Sequence, residues 1–162
     1  MTRALLVGGA AALVAAAAAG PAAARRDPAL WATVNVCDPP AHPGAVGVRV
    51  SIPRRAGHPE QWARIRLQYF DGTARAWRLV RSGGDAGWAK IGAGRRFVEG
   101  GTTFTFPLPD PGTRIVLRGL VDVEWRRHGH AVAHDRLTTT AGHEDPKDPK
   151  LAVSRRSCEI VR

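Results

Sequence analysis

Hydrophobic and polar residues alternate along most of the chain after residue 30, which is the period of a half-buried β-strand. In segment 46–52, valine or isoleucine takes every second position, and Gly47, Arg49 and Ser51 take the positions between. This pattern predicts a strand with one face in a core and the other toward solvent. Further candidate strands lie at 31–38, 62–70, 75–81, 88–91, 102–108, 113–127, 130–140 and 151–161.

Breaks rich in glycine, proline and aspartate separate these segments at intervals of roughly 8–12 residues. Hydrophobic residues do not recur at helical spacing over any long segment of this part of the chain. The spacing is typical of an all-β protein. We therefore predict an antiparallel β-sandwich of about 7–9 short strands that forms a single domain, residues 25–162.

The first 24 residues differ in composition from the rest. Arg3 gives a short positive start, residues 4–20 are apolar and rich in alanine, and Ala22–Ala24 offers small residues for cleavage. This order is typical of a secretory signal peptide, so we predict that residues 1–24 are removed and that the protein is secreted, extracellular or periplasmic. A pair of arginines follows the cleavage position, where positive charge hinders translocation, so a retained anchor is the alternative.

The chain has two cysteines, Cys37 near the start of the predicted domain and Cys158 near its end. An even number of cysteines in an exported protein favours a disulfide, and we predict a bond between these two. The loop that it closes is more than a hundred residues long, for which chain entropy gives a stabilisation of about 4–5 kcal/mol.

The formal net charge is +10, and arginine supplies most of it, since only three lysines are present. A basic exported protein attracts anionic polymers, so one hypothesis is an electrostatic binder of anionic envelope polymers. The other hypothesis is a soluble arginine-rich surface without that role. The partner is unknown at this level: an anionic envelope polymer or another protein is a candidate, and specific binding of nucleic acid is not expected.

Arginines on two neighbouring segments form the candidate binding site. Arg64 and Arg66 share the polar face of one predicted strand, and Arg75 and Arg78 lie on the next, which a turn brings back beside it. Pairing of the two segments predicts an exposed arginine-rich sheet face that binds phosphate or sulfate groups. The alternative is that these charges protect the edge of a sheet from pairing with another chain.

Motifs for catalysis are missing from the sequence. None of the serines lies in a G-x-S-x-G motif, and the glycines at 92–94 do not open a helix as a phosphate-binding loop does. Asp122 and Glu124 alternate with valines, which is typical of the solvent face of a strand. We therefore predict that the protein is not an enzyme and has no catalytic residues and no cofactor.

Three histidines, His128, His130 and His134, suggest a weaker alternative, a histidine-based metal-binding protein. His130 and His134 would lie about 13 Å apart along a strand, too far to share an ion, so we predict no metal site. A two-residue turn at His128-Gly129 would pair Arg127 with His130. The same register would pair Val123 with His134 and place His134 at the buried layer.

The five tryptophans are distributed at about one per strand. A carbohydrate-binding platform would need several of them exposed on one face, whereas large aromatic side chains usually fill a core. We predict that they are core residues, and that Trp88, which lies between glycine-rich breaks, is the exception.

Short motifs also give the chain a family resemblance: W-A-T-V-N-V-C-D at 31–38, W-R at 125–126, A-G-H at 141–143 and a final S-C-E-I. In these motifs it resembles a group of uncharacterised secreted proteins from high-GC bacteria, and its architecture resembles the immunoglobulin-like β-sandwich. The cysteines depart from that class because they lie on the outermost strands. The resemblance implies no activity, so we predict an exported non-enzymatic binding or structural module of the cell envelope or extracellular space.

Overall fold

The computed structural model describes residues 27–144 and 153–162, and the predicted signal peptide lies outside them. The described residues form nine β-strands and no α-helix. The strands are β1 (Trp31–Cys37), β2 (Ala45–Pro53), β3 (Glu60–Asp71), β4 (Ala76–Leu79), β5 (Asp85–Ala93), β6 (Phe97–Thr105), β7 (Arg114–Arg127), β8 (His130–Thr138) and β9 (Cys158–Val161). Over the same residues, no helix is long and apolar enough to cross a membrane.

The strands form two antiparallel sheets, so the prediction of an all-β antiparallel protein is confirmed. The small sheet has the order β1-β2-β6. In the large sheet, β3 and β7 pair along most of their length and form the centre. The outer edge of β3 pairs with β4 and β5, and the outer edge of β7 pairs with β8 and β9.

The buried side chains of the two sheets form one hydrophobic core, and along β7 they alternate with less buried residues. In β7, the residues at every second position from Leu117 to Trp125 are buried, and those that alternate with them are only partly buried. Three valines and the isoleucine of β2 join these side chains in a single cluster. The alternation read from the sequence therefore matches the burial along β7. For β2 the prediction of a solvent-facing side is wrong, because Gly47, Arg49 and Ser51 are buried as well.

The predicted disulfide is present between Cys37 and Cys158, with their Cα atoms 5.2 Å apart. Cys37 ends β1 in the small sheet and Cys158 begins β9 in the large sheet, so the bond joins the two sheets. Beside it, the guanidinium of Arg162 donates to both carboxylate oxygens of Asp38, at 2.7 and 2.6 Å. We call this region the closed end.

At the opposite end, two loops carry the chain from one sheet to the other. Residues 54–59 connect β2 to β3, and residues 94–96 connect β5 to β6. Two buried side chains hold the start of the first loop: Gln61 Nε2 donates to the Ile52 carbonyl at 3.1 Å, and Trp125 Nε1 donates to the Pro53 carbonyl at 2.8 Å. The position of loop 54–59 is therefore set by hydrogen bonds in the core.

The turn between β7 and β8 confirms part of the predicted register. His128 and Gly129 both have positive φ, 50° and 82°, and Arg127 pairs with His130 as expected for a two-residue turn. The next pair, Arg126 with Ala131, also keeps the predicted register. Beyond it the prediction is wrong, because a bulge shifts the register by one residue and Trp125 pairs with Ala133 instead of Val132.

The bulge changes the environment of His134. It pairs with Glu124 instead of Val123, so it lies on the outer face of the large sheet and is exposed. The prediction of a buried His134 is therefore wrong. The strand predicted at 102–108 also lies earlier, at Phe97–Thr105, and its pairing with β2 ends before the prolines of the following loop.

Candidate functional site

The structure does not bring the four predicted anion-binding arginines together on one face. Arg64 and Arg66 project from the outer face of β3, as the burial of the residues between them shows. Arg78 pairs directly with Tyr69, and residues directly opposite share a face, so it belongs to the other side of the sheet. Arg75 lies in the β3–β4 turn with a φ of 50°.

Three of these four arginines already have a carboxylate partner. Arg64 Nε donates to Asp85 Oδ1 at 3.0 Å, and the Arg66 guanidinium contacts Asp122. Arg78 Nε contacts Asp71 Oδ2 at 2.6 Å. An anion that bound these arginines would compete with a carboxylate held in place by the fold. Binding at the four arginines stays a prediction, but the geometry does not favour it.

The pKa values of Arg64 and Asp85 on the outer face also indicate that a bound anion would compete with a carboxylate. The hydrogen bond from Arg64 lowers the pKa of Asp85 below its usual value, and the pair raises the pKa of Arg64. Both groups therefore stay charged over a wide pH range, and the pair is retained. Further ion pairs on this face join Lys90 to Glu60, Arg126 to Glu124 and Arg136 to Asp122.

The prediction that the tryptophans fill the core holds only for Trp125, and the predicted exception, Trp88, does lie outside the core. Trp62, Trp77 and Trp88 are half-buried on the outer face of the large sheet, and Trp31 is half-buried on the small sheet. The reason is packing against cations: guanidinium carbons lie 4.1 to 5.0 Å from the centroids of the half-buried rings, an arrangement that retains an aromatic ring outside a core.

A second group of arginines lies at the end opposite the disulfide. We call this region the basic end and define it by loop 54–59, loop 94–96 and the turn 127–130. Its five arginines are all exposed, and none has a carboxylate within ion-pair distance in the described parts of the chain. They are Arg54, Arg55, Arg95, Arg96 and Arg127.

The three segments of the basic end touch one another. The Arg54 amide donates to the Arg96 carbonyl at 2.9 Å, and the Arg54 guanidinium reaches the Gly94 carbonyl at 3.5 Å. From the other side, Arg127 Nη2 reaches the Ala56 carbonyl at 3.5 Å. These contacts hold arginines from distant parts of the sequence in one surface region, although their charges repel.

The electrostatics of the basic end favour anions. Its three segments contain no aspartate or glutamate, and three histidines, His58, His128 and His130, add imidazoles to the five guanidinium groups. Arg55 lies over the buried Trp125 ring, with 4.0 Å from its guanidinium carbon to the ring centroid. Stacking fixes the guanidinium plane and leaves its edge, which carries the N–H donors, available to a ligand.

Sequence reasoning missed this region because it weighed only arginines on predicted strands. A signal was nevertheless present: arginine doublets at 54–55 and 95–96 lie next to proline or glycine in predicted breaks. An arginine on a strand has cross-strand neighbours, and one of them can be a carboxylate that pairs with it. An arginine in a turn has fewer such neighbours.

Metal ligands do not gather in the described parts of the chain, where no group of three or more His, Cys, Asp or Glu side chains is placed to hold an ion. His134 projects from the sheet face, while His128 and His130 belong to the basic end. The positions of these residues therefore do not support the histidine metal site that the sequence suggested as a weaker alternative.

Comparisons with known proteins give no assignment. No family model matches the chain, and neither a curated protein nor a solved structure does. The case for function therefore rests on the geometry above.

Proposed function

We propose that the protein is an exported, non-enzymatic binding module that holds an anionic polymer of the cell envelope at its basic end. The observation that carries the proposal is the set of five exposed arginines without carboxylate partners among the described residues. Guanidinium groups bind phosphate and sulfate through two parallel hydrogen bonds, and nearby cations raise the local concentration of an anionic polymer.

Two features support the export and the architecture in this proposal. A disulfide persists in oxidising compartments, and the Cys37–Cys158 bond fits a protein whose first 24 residues read as a secretory signal peptide. Two antiparallel sheets around one hydrophobic cluster support an immunoglobulin-like β-sandwich. The fold alone carries no function, so the ligand class follows from the basic end.

The test compares two double variants that remove the same net charge. Arg95→Gln/Arg96→Gln removes two unpaired arginines of the basic end, and Arg64→Gln/Arg78→Gln removes two that are paired on the large sheet. Affinity for heparin and for long-chain polyphosphate is measured by titration at low and high salt. We expect the first variant to bind roughly tenfold more weakly at low salt, since each lost contact contributes on the order of 0.5–1 kcal/mol.

The control variant separates a site from a general effect of charge. Equal losses in the two variants would mean that the polyanion responds only to net charge, which would refute a site at the basic end. A larger loss for Arg64→Gln/Arg78→Gln would restore the arginine-rich sheet face as the site. Binding that does not weaken with salt would contradict the electrostatic mechanism itself.

A further inference from the structure

A shallow trough of about 380 Å³ lies on the outer face of the large sheet, and its lining residues lie outside the three segments that define the basic end. Its size falls in the range of roughly 300–1,000 Å³ that is usual for small-ligand sites. An aromatic ring forms one wall, carboxylates of β7 form the floor, and β8 supplies the opposite wall. The side chains that matter here are Trp88, Asp122, Glu124, His134 and Arg136.

Trp88 reaches this trough from a strand that is not adjacent to it. It belongs to β5, which pairs with β3, whereas the floor belongs to β7 on the far side of β3. The Trp88 ring crosses that distance and lies 4.9 Å from the guanidinium carbon of Arg126 on β7. The same guanidinium lies 4.4 Å from the Trp62 ring, so Arg126 holds two indoles on the sheet face.

The carboxylates of the floor are already compensated. Asp122 accepts from Arg136 Nε at 2.5 Å and also contacts Arg66, and Glu124 accepts from Arg126 Nε at 2.6 Å. A charged ligand would have to separate one of these ion pairs. A neutral ligand would not, because each carboxylate has about four acceptor sites and can take further hydrogen bonds from hydroxyl groups.

We propose that this trough is a second binding site, independent of the basic end, and that it takes a neutral saccharide. The apolar C–H face of a sugar ring would pack on Trp88, which offers a large rigid aromatic surface. Hydroxyl groups would donate to Asp122 and Glu124 and accept from His134. One face of the molecule thereby binds neutral glycan while its end binds anionic polymer.

The experiment titrates the full protein with neutral oligosaccharides of four to six glucose or N-acetylglucosamine units in 500 mM salt. High salt suppresses polyanion binding at the basic end, so the two sites report separately. We expect binding by the wild type and a loss of at least tenfold in Trp88→Ala. The matched control is Trp77→Ala, a half-buried tryptophan of the same face that packs on Arg118 outside the trough.

A second variant keeps the test valid if Trp88→Ala misfolds. His134 is exposed and its replacement by alanine removes no core contact, so we expect a folded protein with several-fold weaker saccharide binding. Absence of saccharide binding by the folded wild type at millimolar concentration would overturn the proposal. Equal losses in Trp77→Ala and Trp88→Ala, or an unchanged affinity in His134→Ala, would also overturn it.

Discussion

The two ends of the molecule hold their positive charge in different ways. At the closed end, Arg162 is paired with Asp38 and Arg114 with Glu159, next to the Cys37–Cys158 disulfide. At the basic end, five arginines lie on three touching segments, without carboxylate partners among the described residues. The cations of the closed end are therefore already paired within the fold, whereas those of the basic end are available to a ligand.

This difference shows why net charge does not locate a binding site. The formal charge of +10 includes arginines whose field is cancelled by a carboxylate a few ångströms away. An exposed ion pair also contributes little to stability, typically below about 1 kcal/mol. The informative quantity is the number of cations without a partner in one surface region, and that number requires the tertiary structure.

The largest expected effect comes from the closed end. Replacing both bonded cysteines, in Cys37→Ser/Cys158→Ser, removes a bond across a sequence separation of 121 residues, and we expect a loss of about 4–5 kcal/mol in the free energy of unfolding. Denaturant titration measures this loss, and the wild type with and without reductant is the control. Polyanion affinity of the folded variant should stay unchanged. A fall in that affinity would show that the two ends are coupled.

A smaller loss of stability is expected where the core supports the basic end. Trp125→Phe removes the indole donor that is 2.8 Å from the Pro53 carbonyl and leaves that acceptor without its partner. We expect a loss of about 1–3 kcal/mol in the free energy of unfolding, with weaker polyanion binding because loop 54–59 loses its anchor. Trp77→Phe is the control, since this half-buried ring makes no such bond. Equal losses in the two variants would contradict the anchor role.

Gly57→Ala perturbs the basic end from within. Gly57 has a φ of 74°, and an added Cβ would lie 1.9 Å from Arg127 Nη2, so the arginine must move. We expect a loss of about 1–2 kcal/mol from the strained backbone and a measurable change in polyanion affinity. Gly112→Ala is the matched control, because Gly112 also has a positive φ, 81°, and nothing lies within 4 Å of its Cβ position. The same affinity in both glycine variants would show that Arg127 does not take part in binding.

The sequence was sufficient for the features that one strand determines by itself. Segment 46–52 lies within β2 and segment 113–127 matches β7 within one residue, although the predicted solvent face of β2 is buried. The period of two follows from strand geometry and the need to bury one face, so no knowledge of the partner strand is required. The disulfide was also predictable, because the chain offers a single pair of cysteines.

Features that depend on pairing between strands were not predictable. A bulge at the β7–β8 pair moves His134 to the outer face, and nothing in the local sequence announces it. The Arg66–Asp122 ion pair joins residues 56 apart, and the sequence showed two unrelated charges. The half-buried tryptophans were missed for the same reason, since the arginines that pack on them come from other strands.

The smallest expected effect is a pH dependence confined to the closed end. Hydrogen bonds from Arg162 and from the Gly44 amide lower the pKa of Asp38. A carboxylate with a lowered pKa in the folded state contributes stability above its unfolded pKa of about 3.9, and that contribution is lost as pH falls toward the folded value. We therefore expect wild-type stability to fall below pH 4 more steeply than that of Asp38→Asn. The two curves should converge at the lowest pH.

A double-mutant cycle tests whether this pH dependence arises from the Asp38–Arg162 pair or from other titrating groups. Arg162→Ala removes the first cause of the lowered pKa, so it should flatten the stability curve nearly as much as Asp38→Asn. The double variant should add little to either single change, because both remove the same interaction. Fully additive effects, or a slope in Asp38→Asn equal to that of the wild type, would show that the acid response arises elsewhere and that the terminal ion pair does not distinguish the closed end.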